Sequence, residues 1–278
     1  MTLVADDDNI LMEGHRNLFK SLLRCNQMSG HSKWSTIKHQ KGITDARRGQ
    51  LFTKLAREIT VAARQGGDNP DMNVRLRVAV QKARESNMPL DNVERAIKRG
   101  AGVGEGGGDA LEEALYEGYG PGGVAIMLQA LTDNRKRTVS DVRASFARAG
   151  GNLGEAGCVS WNFDSRGVVT AEVEPDQGDD VALVVIDAGA EDFKLEGSYL
   201  EVYAIPENLE TLRNALEQQG VKVTSVDLSM VPRNTVLLDA KVADQTLRLL
   251  DHLEELDDIQ KVYTNADFPD EALEQYRG

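Results

Sequence analysis

The chain has 278 residues, including 32 Lys or Arg and 45 Asp or Glu, and its formal net charge is −13. Hydrophobic residues make up 41% of the chain, which excludes a wholly disordered protein, and no apolar run is long enough for a membrane-spanning helix. Two cysteines are too few for a disulfide framework or a structural metal and are typical of a reducing compartment. We therefore expect a cytoplasmic protein of two or three domains.

The charge is distributed unevenly along the sequence. Residues 28–100 carry 15 basic and 7 acidic side chains, whereas residues 101–278 carry 14 basic and 34 acidic ones. A basic block on an acidic body is typical of a protein in which one end binds a polyanion such as nucleic acid. The acidic part could then dock a protein partner or hold the nucleic acid to one side. The alternative is that charge merely varies from one domain to the next.

Residues 1–27 do not show the pattern of a targeting segment. Asp6, Asp7 and Asp8 occupy the place where a signal peptide carries positive charge, and no apolar stretch of adequate length follows them. We expect these residues to be a disordered extension outside the folded protein, which would begin at Met28.

Residues 28–104 have the pattern of a basic helical domain followed by a glycine-rich linker. Apolar residues at spacings of three and four predict helices over residues 46–65, 70–87 and 89–99, the second capped by Asn69. The arm before them, residues 29–41, surrounds one tryptophan with cations, which suits contact with phosphates and stacking on an unpaired base. The tryptophan could equally anchor the arm on the first helix.

The cations of the arm and of the helix faces are the candidate nucleic-acid contacts. Lys54 and Arg57 lie opposite the apolar stripe of the first helix, where they could bind phosphates or form a solvated face. The predicted contacts are His31, Lys33, Trp34, Lys38, Lys41, Arg47, Arg48, Lys54, Arg57, Arg75 and Arg77. A second candidate patch consists of Arg135, Lys136 and Arg137, although capping and local ion pairing explain these cations equally well.

From residue 110 the periodicity changes to that of strands alternating with helices, including a strand over residues 158–163. Residues 166–230 follow the order strand, helix, strand, strand, helix, strand, which is that of split β-α-β, ferredoxin-like domains. We therefore predict an α+β protein in which residues 105–163 and 231–278 form one α/β domain. Residues 164–230 would form a second, βαββαβ domain inserted in it. Two sequential domains meeting near residue 165 are the alternative.

The sequence offers no motif for catalysis or for a bound cofactor. Gly120–Gly123 and Gly150–Gly154 are rich in glycine, but neither fits GxxxxGKS, GxxxxGKT, or GxGxxG between a strand and a helix. The histidines show no metal-ligand spacing, and no pair of nucleophile and base can be assigned. We predict a protein without catalytic residues, metal or cofactor; the alternative from another class is an enzyme that uses the glycine-rich loops.

Several motifs, in order along the chain, resemble those of the YebC/PmpR family. They include Met28–Trp34, Asn73-x-Arg75-Leu76-Arg77, Asn87-Met88-Pro89, Tyr116–Val124 and Thr132–Thr138. The resemblance extends from Met28 to near the C-terminus and does not include residues 1–27. It implies a helical N-terminal domain, two α/β domains, and a cytoplasmic transcriptional regulator that binds DNA. Mitochondrial relatives are translational activators, so the resemblance leaves RNA or the ribosome as the alternative target.

Overall fold

A computed structural model describes residues 45–102, 111–174 and 176–277 of the protein. The predicted extension, the basic arm with His31, Lys33, Trp34, Lys38 and Lys41, and most of the linker lie outside these residues. The helices are α1 (Asp45–Gly66), α2 (Val74–Glu85), α3 (Leu90–Gly100), α4 (Arg135–Arg148), α5 (Gly178–Asp187), α6 (Leu209–Gln218), α7 (Ala240–Glu255) and α8 (Asp270–Arg277). The strands are β1 (Glu112–Tyr119), β2 (Ala125–Thr132), β3 (Asn152–Leu153), β4 (Phe163–Glu172), β5 (Asp192–Glu196), β6 (Tyr199–Ala204), β7 (Lys222–Pro232), β8 (Val236–Leu237), β9 (Ile259–Thr264) and β10 (Ala266–Asp267).

A helical region comes first and is followed by α/β elements, which confirms the predicted α+β class. One four-stranded sheet has the strand order β3-β1-β2-β9, and the other has the order β5-β6-β4-β7. The described chain divides into two compact units, one formed by residues 169–225 and the other by the remainder. No helix of the described residues is both long and apolar enough to cross a membrane.

Three helices form the N-terminal domain around a small apolar core. Ile59 of α1 and Leu76 of α2 are completely buried in it. The second helix begins later than the sequence predicted, because its N-cap is Asn73 and not Asn69. The Asn73 side chain accepts a hydrogen bond from Leu76 N at 3.0 Å and donates one to Ala62 O at 2.8 Å. One residue therefore both caps α2 and ties it to α1.

The first α/β domain packs α4 and α7 on one face of its antiparallel sheet. β1 pairs with β2 from Glu112↔Thr132 to Tyr119↔Ala125, and β2 pairs in turn with β9. Alternate residues of β2 face the helices, as the period of two in a strand requires. The core between the sheet and the helices includes Ile126, Leu128, Phe146, Leu247 and Leu250.

The segment before β4 corrects the predicted strand over residues 158–163. A 3-10 turn occupies Ser160–Asn162, and β4 begins only at Phe163. The physical reason is Glu117 of β1, whose buried carboxylate accepts hydrogen bonds from three backbone N–H groups of residues 157–160, each at 2.8 Å. Those groups are therefore not free to pair with a strand.

Residues 169–225 form the second compact unit. In it β5 pairs with β6 in antiparallel fashion, from Asp192↔Tyr203 to Glu196↔Tyr199. The two helices of this unit, α5 and α6, supply buried aliphatic side chains. The core residues include Val181, Val185, Val202, Leu212 and Leu216.

The two glycine-rich loops are tight connections within the first α/β domain. In the first loop, Gly122 and Gly123 have φ angles of 71° and 76°, a left-handed backbone that favours glycine. In the second loop, a Cβ on Gly151 would lie 2.6 Å from the carbonyl oxygen of Tyr119. Packing and backbone geometry thus account for these glycines without a bound phosphate.

Candidate nucleic-acid interface

Lys54 and Arg57 of α1 are bound to the α/β domain. Lys54 Nζ donates to Glu254 O at 2.5 Å, and Arg57 Nη1 donates to Asp257 O at 2.8 Å and lies 3.5 Å from the Asp258 carboxylate. The helical wheel placed both cations opposite the apolar stripe of α1, where they were predicted to bind phosphates or to form a solvated face. A helical wheel shows which side of a helix is polar and not which domain packs there. Any phosphate contact by these cations would have to replace these bonds.

The environment of Lys54 disfavours its charge. Burial lowers the pKa of Lys54 from the ordinary 10.5 to about 8, with Asp257 opposing this decrease and Arg57 adding to it. The acceptor at 2.5 Å is a backbone carbonyl oxygen, which compensates the buried ammonium group less than a carboxylate would. Lys54 therefore joins two domains at an electrostatic cost.

Arg75 joins α1, α2 and β1 through its guanidinium group. Its Nε lies 2.9 Å from Glu58 Oε1, and its Nη2 lies 2.5 Å from Glu113 Oε1. Burial by itself lowers the pKa of Arg75, but Glu58 and Glu113 outweigh it and hold the pKa above its ordinary value. This candidate nucleic-acid contact is thus part of the contact between the helical and α/β domains.

A further link joins α2 to β7 and β9. Asp227 accepts from Lys82 Nζ at 2.6 Å and from Lys261 Nζ at 2.7 Å. Burial would raise the pKa of Asp227, but Lys261 and Lys82 together hold it well below its ordinary range. Lys82 is therefore another basic side chain of the helical domain whose charge is balanced inside the protein.

Two further predicted contacts of the helical domain lie on α1 and α2. Arg48 is exposed near the start of α1, and Arg77 is half-buried on α2. The side chain of Arg47 lies outside the described residues.

The second candidate patch lies at the start of α4, which Asn134 caps by accepting from Arg137 N at 3.1 Å. Arg135 Nε lies 2.8 Å from Glu112, and Arg137 Nη2 lies 2.8 Å from Asp133 and 2.7 Å from Asp258. Capping and ion pairing, the alternative that the sequence left open, are thus both present. The middle cation, Lys136, is exposed.

The exposed cations of α1 and α3 converge on a groove that we call the arginine groove. It has a volume of about 610 Å³ and runs between the two helices, with two residues of the α/β domain at its edge. Its polar lining consists of Arg57, Arg64, Arg95, Arg99, Thr53, Thr60, Asn92 and Asp133. Its apolar lining consists of Phe52, Ala56, Met88, Ala96 and Leu111.

The charge of the arginine groove is largely unneutralised by the residues that the structure describes. Among the described residues, no carboxylate lies within ion-pair distance of Arg64, Arg95 or Arg99. Arg95 is held over its own helix, donating to Asn92 Oδ1 at 2.5 Å and to a backbone carbonyl at 3.1 Å. Asp133, the carboxylate that lines the groove among the described residues, is paired with an arginine of α4. A concave surface with such charges concentrates anions.

Sequence reasoning did not assign Arg95 and Arg99 to the site. Arg95 and Arg99 stand four residues apart on α3, and Arg64 lies on α1. The spacing does place Arg95 and Arg99 on one side of α3. What the sequence does not give is the packing of α3 against α1, which brings Arg64 to the same groove.

The described residues offer no evident metal centre. Within residues 45–102, 111–174 and 176–277, no group of three or more His, Cys, Asp or Glu side chains converges as metal ligands do. The arrangement that the site does present is a set of guanidinium groups over an apolar floor, which is suited to binding a polyanion.

A basic helical domain that bears an arginine groove and packs on the first α/β domain, in a chain with a second α/β unit, defines the architectural class of this protein. The model of the TACO1/YebC N-terminal domain matches residues 32–103, and that of the TACO1/YebC second and third domains matches residues 111–266. The chain belongs to the TACO1/YebC family, which confirms the resemblance found in its motifs.

Relatives in several bacteria share this sequence over nearly their whole length. A "probable transcriptional regulatory protein" of Dehalococcoides mccartyi is 54% identical, covering 90% of this chain and 98% of that one. A protein of the same description from Desulforapulum autotrophicum is 51% identical, covering 89% of this chain and 99% of the other. The crystal structure of a conserved hypothetical protein from Aquifex aeolicus superposes with a TM-score of 0.71 at 45% identity, covering 81% of this chain and 92% of that one.

Proposed function

We propose that this chain is a non-catalytic, nucleic-acid-binding regulator of the cytoplasm and that its arginine groove receives the sugar–phosphate backbone. The observation that carries the proposal is the convergence of Arg64, Arg95 and Arg99 on one groove without a paired carboxylate among the described residues. Guanidinium groups match phosphate oxygens in geometry and keep their charge at any physiological pH. The description of the relatives as probable transcriptional regulatory proteins supports a regulatory role.

The acidic composition of the remainder supports the same proposal. Residues 101–278 carry 34 acidic and 14 basic side chains, so most of the protein repels a polyanion. Four cations of the helical domain are held by acidic side chains or by carbonyl groups of the α/β domain: Lys54, Arg57, Arg75 and Lys82. The arginine groove, with whatever the basic arm adds, is where a phosphate backbone would be attracted.

The test is the salt dependence of nucleic-acid binding by a paired set of variants. Arg95→Gln/Arg99→Gln removes two cations of the groove, whereas Arg84→Gln/Lys98→Gln removes two exposed cations of the same domain outside it. Each phosphate contact contributes a slope of about 0.9 for duplex DNA and about 0.7 for a single strand. We expect the groove variant to lose about 1.8 or about 1.4 from the slope of log affinity against log salt, and the control to lose little.

Duplex DNA, single-stranded DNA and single-stranded RNA are measured in parallel, since the family resemblance implies either a DNA or an RNA target. A preference for RNA would favour the translational role over the transcriptional one. A groove variant that remains folded and keeps the native slope would contradict the proposed phosphate site.

A further inference from the structure

Two exposed aromatic side chains lie together on the first α/β domain. Tyr119, at the end of β1, is 40% exposed, and Trp161, in the 3-10 turn before β4, is 62% exposed. Tyr119 Oη and Trp161 Nε1 both donate to the carbonyl oxygen of Cys158, at 2.8 Å and 2.9 Å. One acceptor atom therefore holds both side chains, and we call these two residues the aromatic pair.

Hydrogen bonds to a buried carboxylate fix the turn that carries the aromatic pair. Three N–H groups of residues 157–160, the turn that carries the shared carbonyl, are bound by the Glu117 carboxylate. Burial would raise the pKa of Glu117, but these backbone donors outweigh it and hold the pKa below its ordinary value, so the carboxylate stays charged at neutral pH. A buried charge is therefore used to fix the turn from which Trp161 projects.

The chemistry left for a ligand is that of ring faces. Trp161 has one polar hydrogen, on Nε1, and Tyr119 has one, on Oη, and both are already donated to the carbonyl of Cys158. A ligand that needs hydrogen-bond donors gains little here, whereas a planar ring gains a stacking surface that costs little entropy to organise. Two guanidinium groups surround Asp164 on the strand that follows, those of Arg233 at 2.7 Å and Arg166 at 3.9 Å.

We propose that Tyr119 and Trp161 form a stacking site for an unpaired nucleobase, an inference that rests on the proposed nucleic-acid-binding function. Every base presents a π-face, so such a site accepts any sequence, and it excludes duplex because paired bases are already stacked on their neighbours. The Asp164 carboxylate balances the two neighbouring arginines, so the proposed contribution of this site is stacking and not charge. The aromatic pair thus selects single-stranded nucleic acid, whereas the arginine groove supplies charge.

The first test measures affinity for labelled oligo(U), oligo(dT) and a duplex of matched length. Trp161→Ala should weaken binding of both single strands about tenfold, since stacking on one base contributes that order of affinity. Trp161→Phe should retain most of the affinity, because it keeps a π-face. Leu237→Ala, which truncates another side chain that is 73% exposed in the same compact unit, is the matched control and should bind as the native chain does.

The slope of log affinity against log salt concentration separates this inference from the proposed function. Trp161→Ala removes no charge, so the slope should stay at the native value while the affinity falls. A folded Trp161→Ala variant that binds single strands as tightly as the native chain would overturn the aromatic site and leave the arginine groove standing. An equal loss for single strands and duplex would also overturn it. A native chain without salt-dependent binding would overturn the proposed function, and the inference with it.

A second readout avoids truncating the aromatic pair. The chain has two tryptophans, so in a Trp34→Phe variant Trp161 is the sole indole. Oligo(U) should quench its fluorescence in proportion to the bound fraction, because a stacked base contacts the indole face directly. Bound oligo(U) without quenching would show that the ligand lies elsewhere, and quenching by an apolar peptide instead of oligo(U) would assign the surface to a protein partner.

Discussion

The basic side chains of the helical domain differ in what surrounds them. Lys54, Arg57 and Arg75 are held by carbonyl and carboxylate oxygens, whereas Arg64 and Arg99 face the arginine groove without a paired carboxylate among the described residues. Charge counted along the sequence treats all of them alike. Burial and partners decide which cations hold domains together and which are available to a ligand.

Lys54 should make the stability of the protein depend on pH in the alkaline range. Its pKa is about 8 in the folded protein and 10.5 ordinarily, so the unfolded chain binds more protons between these values. The contribution of Lys54 to the free energy of unfolding therefore rises with pH across this window. Lys54→Met should remove that rise, as measured by urea unfolding of both proteins at several pH values, with Lys98→Met as the control. A constant difference between native and Lys54→Met proteins would contradict the assignment.

Asp227 should act in the acid range with the opposite dependence. Its pKa is lowered by Lys261 and Lys82, so its contribution to stability is present above about pH 4 and is lost as the pH falls toward the folded-state pKa. Asp227→Asn leaves two partly buried ammonium groups without their carboxylate and should cost about 2–3 kcal/mol at pH 7. In urea unfolding, that deficit should shrink below pH 4; a deficit of equal size at pH 7 and pH 3 would refute the charge argument.

At the scale of elements, the helices of the N-terminal domain approach one another through glycine. Gly100, at the end of α3, is buried against α1, and an added Cβ would lie 2.7 Å from Ala63 Cβ and in contact with the carbonyl oxygen of Thr60. Gly49 of α1 is exposed, and no atom of the described residues lies within 4 Å of a Cβ built there. The same substitution should therefore have opposite effects at the two sites.

Gly100→Ala should destabilise the protein by about 1–3 kcal/mol, because the added methyl group forces α3 away from α1. Gly49→Ala should stabilise it by about 0.5–1 kcal/mol, because alanine loses less backbone entropy in a helix. Thermal unfolding of both variants checks the pair. A loss of stability at Gly49 equal to that at Gly100 would mean that helix packing does not determine the outcome.

Hydrophobic periodicity predicted the elements well where the pattern is local. Residues 166–230 show the predicted order of strands and helices, and α1 was predicted to within a residue at each end. The predicted start of α2 was wrong because Asn69 and Asn73 are both good N-caps, and only the contact with Ala62 selects Asn73. The strand predicted over residues 158–163 was wrong because the turn found there depends on Glu117, a residue of another strand.

The basic character of the candidate site could be predicted from the sequence, but only some of its residues could. An excess of cations over residues 28–100 indicated the domain that carries most of the arginine groove. Which cations remain exposed depends on the acidic end of α7, some 200 residues away in sequence. The aromatic pair was not predicted at all, because Trp161 was assigned to a strand and the shared acceptor at Cys158 is a backbone atom that a sequence pattern does not reveal.

At the scale of the whole molecule, one part of the chain forms a compact unit by itself, whereas the helical domain is joined to the first α/β domain. Residues 169–225 form a compact unit, and its sheet and both its helices lie within or immediately beside that range. The helical domain belongs to the same unit as the first α/β domain and is joined to it by ion pairs. We propose that the division predicted from the sequence, an inserted domain at residues 164–230, corresponds to an autonomous folding unit.

A fragment of residues 164–230 should therefore fold alone. It contains nearly all of β4 and β7, the whole of β5, β6, α5 and α6, and the aliphatic core between them. We expect a cooperative thermal transition by circular dichroism and native-like secondary structure. A fragment without a cooperative transition would show that the sheet needs the rest of the chain and would favour two sequential domains.

The arginine groove has walls from two domains, since Arg64 and Arg99 come from the helices whereas Leu111 and Asp133 come from the α/β domain. Salt therefore acts on this groove in two ways. It reduces the gain from releasing counterions when phosphates bind, and it screens the ion pairs that hold the two domains, and so the two walls, at a fixed distance. A plot of log affinity against log salt should be straight at low ionic strength and bend downward once the domain contacts weaken. The ionic strength at the bend would report the strength of the contact between the two domains through a measurement made on the ligand.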